Sequence, residues 1–147
     1  MNQISINDYL GLYLDKKYTQ TTNLANFTAI IKEMVHQLNW VGFYLYNGEE
    51  LYLGPFQGKA AVQTIAMGDG VCGISAEKQE TMIVDDVHAF PGHIACDDAS
   101  NSEIVIPIIK NNKLIGVLDI DSPVKNRFDK ETAETLQESV DFLFDFL

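Results

Sequence analysis

Cys96 is one of two cysteines in 147 residues. It stands in the run His93-Ile94-Ala95-Cys96-Asp97-Asp98-Ala99-Ser100-Asn101-Ser102-Glu103, among small polar residues and ahead of a β-branched stretch. A cysteine used for packing has apolar neighbours, whereas a working thiol needs access to solvent and substrate, so this pattern reads as a reactive nucleophile in a loop. Asp97 and Asp98 work against that role, because nearby anions raise a thiol pKa. His93, a helix N-terminus or backbone N–H groups would have to offset them. Farther along, Leu118-Asp119-Ile120-Asp121 carries two alternating carboxylates, which a strand places on one face. Together with Glu103 they form a trio at strand ends. Carboxyls crowded around one pocket do not all ionise, so one stays protonated and serves as an acid; the plainer alternative is that each merely solvates a strand end.

Three further features have both a chemical and a structural reading. Trp40 and Tyr44 share one face of a strand, where they either wall a pocket with rigid aromatic surface or pack in the core. Cys72 follows Gly68-Asp69-Gly70 and is either a packing residue at a helix start or a second working thiol. His88, His93, Cys96 and Cys72 match no strong zinc spacing, so neither a metal nor another cofactor is expected. Gly68-Asp69-Gly70 lacks the lysine and hydroxyl residue of a phosphate-binding loop.

The chain has the length of one domain, residues 1–147, with enough apolar content to bury a core without disulfide or metal staples. Its formal charge of −11 repels nucleic acid and anionic lipid. Met1-Asn2-Gln3-Ile4 lacks a basic stretch leading into an apolar run, and no segment approaches the roughly 18–20 apolar residues of a membrane span. A cytoplasmic, reducing location is the resulting expectation.

The elements that must position these residues can be read from periodicity. Residues 21–38 place Leu24, Phe27, Ile30, Ile31, Met34, Val35 and Leu38 at helical spacing, with Thr21, Thr22 or Asn23 as cap. A weaker helical stripe runs from Ile6 to Leu14. Trp40 to Tyr46 and Leu51 to Phe56 predict a hairpin about Asn47-Gly48, and Glu103 to Lys110 with Lys113 to Asp121 predict a second about Asn111-Asn112. Between them lie an extended segment at 60–67, a short helix at 71–76, a strand at 81–84 and a long loop from Asp85 to Asn101. Asp129 caps a last helix reaching Leu147. This is an α+β pattern: a central, mostly antiparallel sheet with N- and C-terminal helices packed on one face. Phe142, Phe144 and Phe146 exceed what that packing needs and are available for a homodimer.

Six segments carry a family resemblance: Asn39-Trp40-Val41-Gly42-Phe43-Tyr44, Leu53-Gly54-Pro55-Phe56-Gln57-Gly58, Gly70-Val71-Cys72-Gly73, Gly92-His93-Ile94-Ala95-Cys96-Asp97, Ser100-Asn101-Ser102-Glu103 and Gly116-Val117-Leu118-Asp119-Ile120-Asp121-Ser122. With them the chain resembles the free methionine-(R)-sulfoxide reductases, single-domain members of the GAF fold. The resemblance implies thiol-dependent reduction of free L-methionine (R)-sulfoxide through a cysteine sulfenic acid, linked to a thioredoxin-like or small-thiol reductant. It implies Cys96 as the catalytic cysteine, Glu103, Asp119 and Asp121 as substrate-binding and proton-donating carboxylates, and Trp40 and Tyr44 as the pocket wall. Members of that family carry a further cysteine, the usual resolving thiol, where this chain has Val62. The alternatives for recycling are Cys72 or an external thiol. A non-catalytic GAF sensor module binding a small molecule is the competing reading.

Overall fold

The computed structural model describes residues 4–93 and 98–147. The chain opens with helices α1 (Ile6–Tyr13) and α2 (Gln20–Met34). Thr19 caps α2 by accepting from the Thr22 N–H, ahead of the three residues expected from sequence. The helix also stops before Leu38. Val35 is already extended and Gln37 takes a positive φ of 62°, which turns the chain into the sheet. Leu38 continues the apolar spacing because it packs into the same core from outside the helix.

Strands β1 (Trp40–Tyr46) and β2 (Glu50–Gln57) form the first hairpin. Asn47 accepts from the N–H groups of Glu49 and Glu50, and Gly48 takes a φ of 97°. Short strand β3 (Thr64–Ala66), helix α3 (Gly70–Lys78) and short strand β4 (Met82–Val84) follow. The second hairpin pairs β5 (Ser102–Lys110) with β6 (Lys113–Ser122). Asn111 and Asn112 have φ of 54° and 63°, the double left-handed conformation of a two-residue hairpin turn. Helix α4 (Lys130–Leu143), capped by Asp129, closes the fold with a 3₁₀ turn at Phe144–Phe146.

The six strands run in the order β3-β2-β1-β6-β5-β4, with every neighbouring pair antiparallel. Strand alternation splits the core in two. On one face Val41, Phe43, Ile104, Ile106, Leu118 and Ile120 meet α1, α2 and α4. On the other, Trp40, Tyr44, Val105 and Val117 meet α3, β3 and the connections around them. The terminal helices thus share a face as expected, while α3 takes the opposite one. Phe142, Phe144 and Phe146 are partly buried against the first core rather than held in reserve. No helix among the described residues is long and apolar enough to cross a membrane.

Gly42 shows how tightly the second face is built. A Cβ there would run into the Trp40 ring at Cη2 and stand 2.6 Å from Cζ3. Gly42→Ala is therefore expected to cost about 2 kcal/mol of stability through displacement of that ring. Urea unfolding monitored by the single tryptophan's fluorescence reads the effect; an unchanged midpoint and spectrum would show that the indole yields freely.

Candidate active site

The site begins with a register. A two-residue turn at Asn111-Asn112 pairs Lys110 with Lys113 and Ile109 with Leu114. Carried on unbroken, that pairing would set Glu103 opposite Ile120, on the helix-covered face. An irregularity between Ile108 and Ile109 advances it by one residue, so that Ile108 meets Gly116 and Glu103 meets Asp121. A one-residue slip moves a side chain to the other face, and here it puts Glu103 with both aspartates. Gly116 permits the bulge, because a Cβ there would collide with the Tyr44 carbonyl of β1.

Glu103, Asp119 and Asp121 are all buried, at 3%, 1% and 3% exposure. Like charges directly opposite on neighbouring strands repel. Burial, and then the charge of Asp121, push the Glu103 carboxyl well above the ordinary carboxyl range. Burial, and then Glu103, do the same to Asp119. Both therefore hold a proton more tightly than exposed acids do. Asp119 Oδ1 has no hydrogen-bond partner among the described residues.

Helix α3 brings Cys72 to this cluster, where its thiol donates a hydrogen bond to Asp119. Gly73 sets the depth of that approach, since a Cβ there would lie 2.6 Å from the Ala66 carbonyl oxygen. Asp69 is the N-cap residue but makes no side-chain cap bond. The start of α3 is thus left without that partner beside the pocket, where a helix favours negative charge. Ile65, Asp69, Gly70, Val71, Cys72, Glu103 and Asp119 line a small cavity of about 10 Å³. That is room for about one water molecule.

His93 reaches the same carboxyls, with Nε2 3.1 Å from Glu103 Oε1. Burial lowers its pKa. Its neighbour in composition, His88, instead bonds Asn101 Oδ1 at 2.9 Å. Among the described residues, the side chains of metal-binding type that come together are Cys72, Glu103 and Asp119, with one atom of each within 4.8 Å of the others. They differ from the His88, His93, Cys96 and Cys72 set weighed from sequence, and a cation there would have to displace protons that the carboxyls hold tightly.

Trp40 and Tyr44 are fully buried and stacked, with ring centroids 6.0 Å apart. Trp40 Nε1 donates to the Lys59 carbonyl and the Tyr44 hydroxyl to the Val62 carbonyl, each at 2.9 Å. They form the packed layer next to Cys72, tying the 58–63 connection to the sheet, and they are not among the residues lining the pocket just described. Val62 packs against the same layer. Cys96 lies outside the described residues. Asn39 donates from Nδ2 to Ser100 Oγ at 2.9 Å, joining the start of β1 to the end of the cysteine-bearing loop. Sequence reasoning missed this link and the His93–Glu103 contact, because neither partner's local pattern points to the other.

The fold and the pocket above the sheet define a GAF domain, and a GAF domain model matches residues 24–143. The free methionine-R-sulfoxide reductase of Escherichia coli K12 is 50% identical over 117 residues, 80% of this chain and 71% of that protein. The enzyme of the same name from Saccharomyces cerevisiae is 46% identical over 138 residues, 88% of this chain and 76% of that one. The fRMsr of Staphylococcus aureus, solved in complex with its substrate, superposes with a TM-score of 0.90 at 44% identity, covering 97% of this chain and 93% of that chain. The chain belongs to the free methionine-R-sulfoxide reductase family of GAF-domain proteins.

Proposed function

We propose that this protein reduces free methionine-R-sulfoxide to methionine, with thiols supplying the two electrons. The observation that carries the reading is the buried carboxyl trio, of which Glu103 and Asp119 close on Cys72 in a small pocket, within a chain half identical to a reductase of that name. A sulfoxide sulfur is a weak electrophile until its oxygen is hydrogen-bonded or protonated, so a thiolate needs an acid beside it. Glu103 and Asp119, whose protons are tightly held, suit that task. In the first step the Cys96 thiolate attacks sulfur, an acid gives its proton to oxygen, and methionine leaves as Cys96 becomes a sulfenic acid. In the second, a thiol condenses with the sulfenic acid to a disulfide, releasing water.

Recognition of a free amino acid has support at both ends. The acidic cluster, with the unpartnered Asp119 oxygen, suits an ammonium group. The start of α3 at Gly70 and Val71 suits a carboxylate. Trp40 and Tyr44 serve the substrate by holding the layer behind Cys72 in place. Cys72 is the resolving candidate within the chain, since Val62 stands where the usual cysteine would be; a thioredoxin-like protein or a small thiol then regenerates the enzyme. A homodimer, for which the exposed Ile4, Leu12, Tyr13 and Tyr18 offer apolar side chains, and a cytoplasmic location complete the reading.

The test is methionine release, quantified by chromatography, from separate free R and S sulfoxides with dithiothreitol or a thioredoxin system. Only the R isomer is expected to react, and N-acetylation, which removes the ammonium, is expected to slow it at least about tenfold. Release from neither isomer, or equally from both, would overturn the reading.

A further inference from the structure

His93 gives the buried carboxyls a contact with a titratable group that reaches solvent. Its side chain is 12% exposed, against 4% for Glu103, and Nε2 lies 3.1 Å from Oε1. We propose that His93 is a positioning residue for Glu103, orienting its carboxyl through this hydrogen bond and returning a proton to it from solvent after each turnover. The inference rests on the reductase reading.

The need for such a residue comes from the proton balance. When the Cys96 thiolate takes the sulfoxide oxygen, one acid proton moves onto that oxygen, the sulfur–oxygen bond of the substrate breaks, and the acid is left as a carboxylate. For Glu103 that product is unfavourable, because the group is buried and Asp121 faces it across the strands; the hydrogen bond from Asp119, on the same strand as Asp121, offsets only part of this. Cys72, on α3, cannot relieve the charge, since it donates to Asp119. The repulsion that makes Glu103 a good holder of a proton thus also demands a prompt replacement, and water has little access to a group this buried. An imidazole bridging solvent and carboxyl can take up a proton on one side and release it on the other. Its burial favours release, since a desolvated ring holds its proton weakly.

His93→Gln keeps an amide able to hydrogen-bond Oε1 but cannot titrate; His93→Ala removes both properties. Steady-state kinetics on the free R-sulfoxide between about pH 5.5 and 9, with and without added imidazole, separate the roles. For His93→Gln we expect KM within about twofold of wild type and kcat lower by about 10- to 100-fold. The pH limb that follows the ring, with activity falling as it loses its proton, should disappear. His93→Ala should show a similar loss, partly restored by imidazole. Wild-type kcat in His93→Gln at every pH would overturn the proposal, because hydrogen bonding alone would then suffice. So would a rise in KM with kcat intact. Thermal melts accompany each variant, and if His93→Ala is unfolded the His93→Gln profile decides alone. A wild-type protein inert on the sulfoxide removes the reductase reading and this inference together, whereas an active one indifferent to His93→Gln removes only this inference.

Discussion

Cys96→Ser is expected to lower kcat for methionine release by at least about 10³-fold while leaving the fold intact, the scale of loss seen when a nucleophile is removed. Serine keeps the size and polarity of the side chain, so the loop composition that marks Cys96 is preserved. Its hydroxyl stays un-ionised near neutral pH, and an oxygen nucleophile cannot end the step as a sulfenic acid. Comparison with Cys72→Ser makes the result decisive. If Cys72 resolves, Cys72→Ser should release one equivalent of methionine per protein rapidly and then stall without an external thiol. The opposite pattern, an active Cys96→Ser and an inert Cys72→Ser, would move the nucleophile to the thiol that already touches Asp119.

Glu103→Gln should lower kcat by about 10²- to 10⁴-fold, the usual worth of a positioned acid, and should also change how stability responds to pH. The folded-state pKa values of Glu103 and Asp119 lie above their unfolded values. Between those values the folded protein holds more protons than the unfolded chain. The stability these groups contribute is therefore fully present below the unfolded carboxyl pKa, near 4, and is lost as pH rises through the folded values. Glutamine removes one titrating partner and leaves Asp119 facing a neutral amide that can donate to it. Melting temperatures at several pH values from 5 to 8 should fall for wild type and fall less for Glu103→Gln. Equal slopes in the two proteins would mean that the carboxyl cluster titrates without the repulsion argued here.

The sequence alone determined the features set by short-range geometry. Asn47-Gly48 and Asn111-Asn112 specify hairpins because few residues accept a positive φ. The apolar spacing of α2 and the Asp129 cap specify helices, and strict alternation puts Asp119 and Asp121 on one face. The motifs around Cys96 and Asp119 resemble those of sulfoxide reductases of the GAF fold, and the relatives carry the same name. What tertiary structure decided were meetings between residues far apart in the chain. Glu103 joins the aspartates because one irregularity at Ile108/Ile109 shifts a register. Cys72, readable as mere packing, touches Asp119 because α3 takes the face opposite the other helices and Gly73 lets it come close. Trp40 and Tyr44 read as pocket wall or core from sequence, and tertiary structure buries both with their polar ends bonded to backbone carbonyls. Periodicity tells which face a side chain shares with its own strand neighbours, but which distant side chains wait on that face depends on register and layering, and these arise only when the whole sheet assembles.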